Sequence, residues 1–478
     1  MVMEAKSIKV CNHIIEKGLI SLIIFAPLAF GSVEVWAYSI IILSAVALTL
    51  VWLIKVWLKN GLKFNISKKE PINFKLSYLK TPLNLPIILF IGLIIIQLIP
   101  LPKSVVRFIS PNTCNIYAES YKALEASVIA KNPLNTSYSL SLCPNATKDE
   151  LFKIIGYALI FFLIVNNIKS KVQLKKLILT IVIVAFCLSI FGIIQKAFWN
   201  GKIYWFRELR YGGGPFGPYV NRNHYAGFME MAIPLAFGAI AITKNRNKKI
   251  ILSYMALIMA STIFISLSRG GMLAFLGSIL FISLAFLFHK TLKKHVSFIV
   301  MLLIGIVIFI IYLQLFSVVA DRLLTVIDPD ELLSQKRFLV WKDSLNIVSD
   351  FPLLGSGLGT FRYIFPKYKT FYYRLIFHYP ENDYLQLLTE TGIIGFFIIL
   401  WGLSAFLIAS FRLIAKNKIL IFFIGSIFAI LIHSFCDFNL HIPANALIFT
   451  IILALTLRFG YEVENLERRE NVVNVRFI

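Results

Sequence analysis

Residues 378–395, HYPENDYLQLLTETGIIG, crowd His378, Glu381, Asn382, Asp383 and Gln386 at the mouth of an apolar run. Taking such groups out of water is costly unless they are paired or used, so their concentration marks a reaction or binding site at a membrane surface. His378 or Glu381 can take a proton from a hydroxyl. They are three apart, the spacing of one helix face, although Pro380 lies between them. Asn382, Asp383 and Gln386 can orient a sugar or the base. The plainer reading is a cap, with Asn382 or Asp383 starting the next helix.

Two further stretches carry chemistry. In GGGPFGPYVNRNHYAGF, residues 212–228, three glycines free backbone N–H groups to face an anion. Asn221 or Asn223 can cap the helix that follows, whose N-terminus favours negative charge. Arg207, Arg210 and Arg222 surround it. In SLSRGG, residues 266–271, Arg269 divides a long apolar run into two spans, and it must snorkel or bind something. A guanidinium there has the fork geometry for a diphosphate. A turn with arginines on lipid head groups is the competing reading for both stretches. The DPD triplet, residues 328–330, has the form of a metal-binding DxD, but no strand–helix alternation is present to hold a nucleotide, and a solvated turn is the better reading. No metal site is expected; the spacing of the five cysteines fits none. Cys187 and Cys436 are read as packing within spans, and Cys114 and Cys143 share a loop where a disulfide is possible.

These sites need a membrane scaffold. The chain has 478 residues, 58% hydrophobic and 15% charged, well below the charge content of a soluble domain. Apolar runs of membrane-spanning length recur, predicting about twelve transmembrane helices near 14–31, 35–55, 83–101, 150–168, 174–196, 223–243, 250–267, 271–288, 296–317, 384–411, 418–436 and 442–460. The net charge of +24 lies in short connections, 55–80, 169–176, 244–249, 289–295 and 412–418. That is the positive-inside pattern rather than a nucleic-acid footprint. It puts both termini in the cytoplasm. The organisation expected is an N-terminal bundle over 1–316 with external loops 102–149 and 197–222, a large external loop over 317–382, and a C-terminal bundle with a tail over 383–478. Within the large loop, 331–348 has apolar residues at helical spacing (Leu332, Leu333, Phe338, Leu339, Trp341, Leu345, Val348), predicting an amphipathic helix. Tyrosines 363, 368, 372, 373 and 379 follow and can pack on sugar rings.

Five stretches in order resemble the O-antigen ligase and O-antigen polymerase superfamily: NRNHYAGFMEMAIPLAFG (221–238), SLSRGGMLAFLGS (266–278), RFLVWKDSL with PLLGSGLGTF (337–361), ENDYLQLLTETGIIG (381–395) and DFNLHIPANA (437–446). The resemblance covers about half the chain; the first 200 residues match only as a set of spans. It implies an all-α polytopic protein of the bacterial inner membrane with a large periplasmic loop, built as a lipid-dependent (GT-C-like) glycosyltransferase. It implies a glycan donor on undecaprenyl pyrophosphate, with no cofactor or metal. The acceptor is a hydroxyl of lipid A–core (ligase), another lipid-linked repeat (polymerase) or a protein (oligosaccharyltransferase). Transfer inverts the anomeric carbon. Membrane lipids are the other partners. By the same resemblance Arg210, Arg222, Arg269 and Arg337 hold the pyrophosphate; on the residues' own chemistry Asn382 and Gln386 can hydrogen-bond sugar hydroxyls. One departure stands out: ligases often place a His before the Asn, and here Glu381 occupies that position, with Gly392 at the family spacing. Register favours Glu381 as catalytic base and intrinsic basicity favours His378. A polysaccharide transporter or flippase is the rival of another class. It would carry ionisable groups near mid-membrane, where only Glu230 is a candidate.

Overall fold

The computed structural model describes residues 2–61, 80–126, 137–209, 214–288, 337–373, 376–414 and 417–475. Its first ten helices are α1 (Val2–Leu28), α2 (Val35–Gly61), α3 (Asn84–Leu98), α4 (Lys103–Ile109), α5 (Pro111–Ala126), α6 (Pro144–Asn167), α7 (Lys171–Ala197), α8 (Arg222–Ile242), α9 (Arg246–Ile265) and α10 (Arg269–Phe288). Then follow α11 (Arg337–Asp350), α12 (Phe361–Tyr368), α13 (Asp383–Ile414), α14 (Leu420–His433) and α15 (Pro443–Val475). The described sheet is two strands, β1 (Leu101–Pro102) antiparallel to β2 (Ser137–Tyr138).

Seven of the described helices, α2, α7, α8, α9, α10, α13 and α15, are long and apolar enough to cross a membrane, and α3 and α14 are shorter apolar helices. The chain is an integral membrane protein. Helices also occupy the other expected spans except 296–317, which lies outside the described residues, as do the DPD triplet and residues 331–336.

The hub is α8. Every residue from His224 to Ile240 is buried, because this helix is apolar on all sides and is enclosed by α7, α9, α10 and α14. Glu230 sits at 0% exposure inside this hub, where a lone carboxylate would be very costly. It is paired with His433, whose Nδ1 lies 3.0 Å from Oε2. Asn221 caps α8 by accepting from the Asn223 N–H (2.8 Å). The break between α9 and α10 falls at residues 266–268, where the 40-residue apolar run divides.

A cap covers one end of the bundle. Tyr138 and Leu140 pack with Val106 and Cys114, and α11 packs on α12 through Val340, Ile347, Phe351, Phe361 and Phe365. The region before α6 and the loop between α11 and α12 are stitched together: the Leu142 N–H donates to the Ser356 carbonyl (2.9 Å) and Thr147 Oγ1 to the Leu358 carbonyl (2.7 Å). The loop between α11 and α12 docks onto a break in α13. There Gly392 takes φ 63, ψ −169, and a Cβ would meet the Leu353 carbonyl carbon at 2.4 Å. Ile393 N–H donates to the Pro352 carbonyl (2.8 Å) across this contact. The Glu390 carboxylate accepts from the N–H groups of Gly359 (2.9 Å) and Phe361 (3.1 Å), holding the start of α12.

The amphipathic loop helix begins, among the described residues, at Arg337. Val340, Asp343, Ser344 and Ile347 face inward, whereas Phe338, Leu339 and Leu345 are exposed. Asp343 tolerates burial because it accepts from the Thr370 N–H (2.8 Å) and hydroxyl (3.0 Å). The cysteine readings also change. Cys114 and Cys143 are free thiols, Cys187 is exposed on α7, and Cys436 lies in the turn after α14.

Candidate functional site

Connectivity gathers the chemistry at one end of the bundle. The N-termini of α8, α10, α13 and α15 meet the C-termini of α9 and α14 there, and the basic connections 244–249 and 412–418 lie at the other ends of these helices. All five of the stretches singled out in the sequence are joined by polar contacts. Asn223 Nδ2 donates to Asp437 Oδ2 (2.6 Å), and Asn223 Oδ1 accepts from Ser268 Oγ (2.8 Å). Asp437 Oδ1 accepts from the Phe438 N–H (2.8 Å) and lies 3.3 Å from His224 Nε2. Arg337 forms an ion pair with Glu381, and its Nη1 donates to the Cys436 carbonyl (3.0 Å). Asp383 Oδ2 accepts from Ser434 Oγ (2.7 Å) and the Leu440 N–H (3.2 Å), and Oδ1 lies 2.7 Å from His441 Nδ1.

Three connected spaces open among these residues. A niche of about 90 Å³ is lined by Arg222, Arg269, Arg337 and His433. It adjoins a chamber of about 510 Å³ through Arg222 and Asn223, which line both. The chamber wall carries His224, His378, Tyr379, His441 and Lys153. Lys153 and His441 also line a third space, an apolar groove of about 340 Å³ between α3, α6, α13 and α15. Its walls include Phe90, Phe161, Leu387 and Phe406, and Glu150, Asp383 and Glu390 mark its polar side. Lys153 Nζ pairs with Glu150 (2.6 Å).

The electrostatics follow from burial. Burial pushes the Glu381 carboxyl up, against the pull of Arg337. For Arg337, burial disfavours the charge, but Glu381 and Asp437 outweigh it and hold the guanidinium charged. Burial also opposes ionisation of Asp437, yet contact with His224 and the charges of His433 and Arg337 keep it well below the usual carboxylate range. Burial, helped by Arg362, lowers His378. His441 is raised: burial works the other way, but the bond to Asp383 prevails. Two non-glycine residues here adopt left-handed backbone, Leu267 (φ 58) and Glu381 (φ 55), conformations that cost about 1–3 kcal/mol and cluster at functional sites.

The structure brings Arg222, Arg269 and Arg337 together, with Glu381 paired to Arg337 and His378 on the adjoining chamber wall. Arg207 pairs with Glu34 over the Phe30 ring, and Arg210 lies outside the described residues. Asn382 Oδ1 caps α13, accepting from Tyr384 and Leu385 N–H groups (both 3.0 Å). Gln386 is buried and its Nε2 donates to Glu390 (3.2 Å). His378 lines the chamber, whereas Glu381 is turned to Arg337. Of the five tyrosines, Tyr379 faces the chamber, stacked on Phe438 with ring centroids 4.2 Å apart. Sequence reading gave no role to Lys153, His224, His433, Asp437 or His441. Their signal was polar residues inside apolar stretches, most visibly in DFNLHIPANA. Among the described residues no group of three or more His, Cys, Asp or Glu is arranged to hold a metal ion.

Residues 254–400, from within α9 to the middle of α13, match the O-antigen ligase family model. That match, over less than half of the chain, makes this region similar to the O-antigen ligase superfamily and supports the resemblance drawn from its motifs. The matched segment holds Arg269, Arg337 and Glu381, while Arg222 and His441 lie on either side of it. No curated protein matches the chain. The match points to glycan processing of the ligase or polymerase type.

Proposed function

We propose that the protein transfers a glycan from undecaprenyl pyrophosphate to an acceptor sugar hydroxyl at the periplasmic face of the bacterial inner membrane, as an O-antigen ligase. The observation that carries this reading is the run of groove, chamber and niche. An amphiphile with a prenyl tail, a diphosphate and a sugar needs an apolar trough, cations and a polar space in contiguity; Lys153 and His441 line both groove and chamber, and Arg222 lines both chamber and niche. Arg222, Arg269 and Arg337 neutralise the pyrophosphate as it leaves, an electrostatic contribution of the kind that dominates many such reactions. Arg337 is held for this by Glu381 and the Cys436 carbonyl. Tyr379 offers an aromatic face to a sugar ring. The exposed Phe338, Leu339 and Leu345 of α11 give the cap an apolar surface toward a lipid-linked donor.

Glu230 argues against a transporter. The deep charge such a protein would use is enclosed and bonded to His433 rather than exposed to a pathway. A polymerase uses the same donor and the same chemistry. A deletion strain examined by glycolipid electrophoresis separates them. Loss of the ligase leaves full-length polymer on undecaprenyl pyrophosphate and bare lipid A–core. Loss of a polymerase leaves core capped by one repeat. An unchanged glycan profile would remove both readings.

A further inference from the structure

A base for the acceptor hydroxyl must face a space that can hold a sugar, and it must be oriented. Glu381, at the register position expected for the base, is turned to the Arg337 guanidinium and contributes nothing to the chamber wall. His378 lines the chamber, but no carboxylate orients it among the described residues, and burial beside Arg362 makes its ring less basic. His224 points Nε2 at Asp437 and its side chain is 7% exposed. His441 is 19% exposed, lines both the chamber and the groove, and is bonded to Asp383 through Nδ1 (2.7 Å).

Asp383 is itself fixed. Its Oδ2 is occupied by Ser434 Oγ and the Leu440 N–H, so Oδ1 is left for the imidazole. An ionised carboxylate only accepts hydrogen bonds, so His441 Nδ1 carries the proton and Nε2 is left with its lone pair. A second-partner bond of this sort sets the tautomer and orients the ring. It is the arrangement by which a carboxylate makes histidine a general base and then stabilises the imidazolium.

We propose that His441, held by Asp383, is the base that takes the proton from the acceptor hydroxyl; this rests on the transferase reading above. The acceptor O–H proton passes to His441 Nε2 as the oxygen bonds to the anomeric carbon. The bond from that carbon to the phosphate oxygen breaks, and its electron pair leaves on undecaprenyl pyrophosphate beside the arginines. Charge balances: one imidazolium forms, and one negative charge is added to the leaving group. Among the described residues, the ionisable groups around His441 are Asp383 and Glu390 from α13, Glu150 and Lys153 from α6, His378 and Tyr379 from the loop, and Tyr38 from α2 with Arg222 and His224 from α8 on the chamber wall. The carboxylates raise the basicity of the ring, so activity should fall as pH drops through a value above the ordinary histidine range.

The test uses the full chain in lipid nanodiscs, with lipid-linked glycan and acceptor extracted from the host membrane. His441→Ala should lower kcat at least about a hundredfold. Binding of undecaprenyl pyrophosphate should stay near the wild-type level, and added imidazole should restore turnover in proportion to its neutral form. Asp383→Asn should move the acid limb of the kcat profile to lower pH, because the ring loses its carboxylate. His441→Ala retaining more than about a tenth of wild-type kcat would overturn the proposal, given the size of general-base effects. Larger losses with imidazole rescue in His378→Ala or Glu381→Gln would overturn it too. If His441→Ala loses undecaprenyl pyrophosphate binding, the Asp383→Asn profile decides, and an unmoved limb sinks the proposal. Wild type that binds undecaprenyl pyrophosphate but transfers nothing would instead remove the transferase reading itself.

Discussion

Glu230–His433 and Asp383–His441 are built alike: in each, a carboxylate sits at hydrogen-bond distance from Nδ1 of a histidine. They differ in what lies around them. His433 is enclosed at 0% exposure, and among the described residues its Nε2 has no hydrogen-bond partner; the ring borders a niche of about 90 Å³. His441 borders a chamber of about 510 Å³. A water occupies about 30 Å³ of liquid, so the niche has room for a few waters or one phosphate group. Ligand pockets begin at about 300 Å³, so only the chamber admits a sugar. Identical pairings therefore serve different ends, and access rather than residue type separates them. The enclosed pair gives a carboxylate in the hub its partner, and the open one is the pair proposed above to take the acceptor proton.

Removing one member of the enclosed pair should have the largest effect. Glu230→Ala leaves His433 in an apolar bundle without its partner and should cost about 3–5 kcal/mol. Thermal unfolding in detergent reads this, and Asp383→Asn should cost clearly less. Equal losses would erase the distinction. Next come the arginines. Arg269→Ala should lower transfer about 10²–10³-fold while the protein stays in the membrane. Arg269→Lys should rescue poorly, since Lys lacks the bidentate fork. Normal transfer by a well-expressed Arg269→Ala would reduce Arg269 to a lipid anchor.

Gly270→Ala probes the enclosed histidine from the other side. A Cβ there would stand 2.7 Å from His433 Nε2, so the ring must shift, at a cost of about 1–3 kcal/mol. An unchanged melting temperature would mean that the ring has slack. Glu381→Gln is the mildest change. It should raise KM for the donor about tenfold, the worth of one hydrogen bond to a charged group, and leave kcat nearly unchanged. A fall in kcat with unchanged KM would return Glu381 to the role of base.

Much of this was legible in the sequence. The spans and the break at SLSRGG follow from apolar run length, a property each segment carries by itself. The convergence of Arg222, Arg269 and Arg337 was legible as positive charge in stretches that resemble one family. The face of α11 that packs inward was not: Asp343 and Ser344 are among its buried residues, satisfied by Thr370 and by the Val340 carbonyl. Nor was the division of labour among polar residues. Asn382 is spent on capping and Glu390 on the start of α12, whereas His441 gains its partner from 58 residues away. Such pairings depend on tertiary contact, which no local pattern encodes.

The central claim is that a lipid-linked glycan is the donor. The measurement that reaches it most directly is a mass balance in reconstituted vesicles supplied with lipid-linked glycan and acceptor from the host. The prediction is one glycan gained by the acceptor for each undecaprenyl pyrophosphate released, lost together in Arg269→Ala. Transfer from a nucleotide sugar without lipid, or acceptor gain with no undecaprenyl pyrophosphate released, would contradict it.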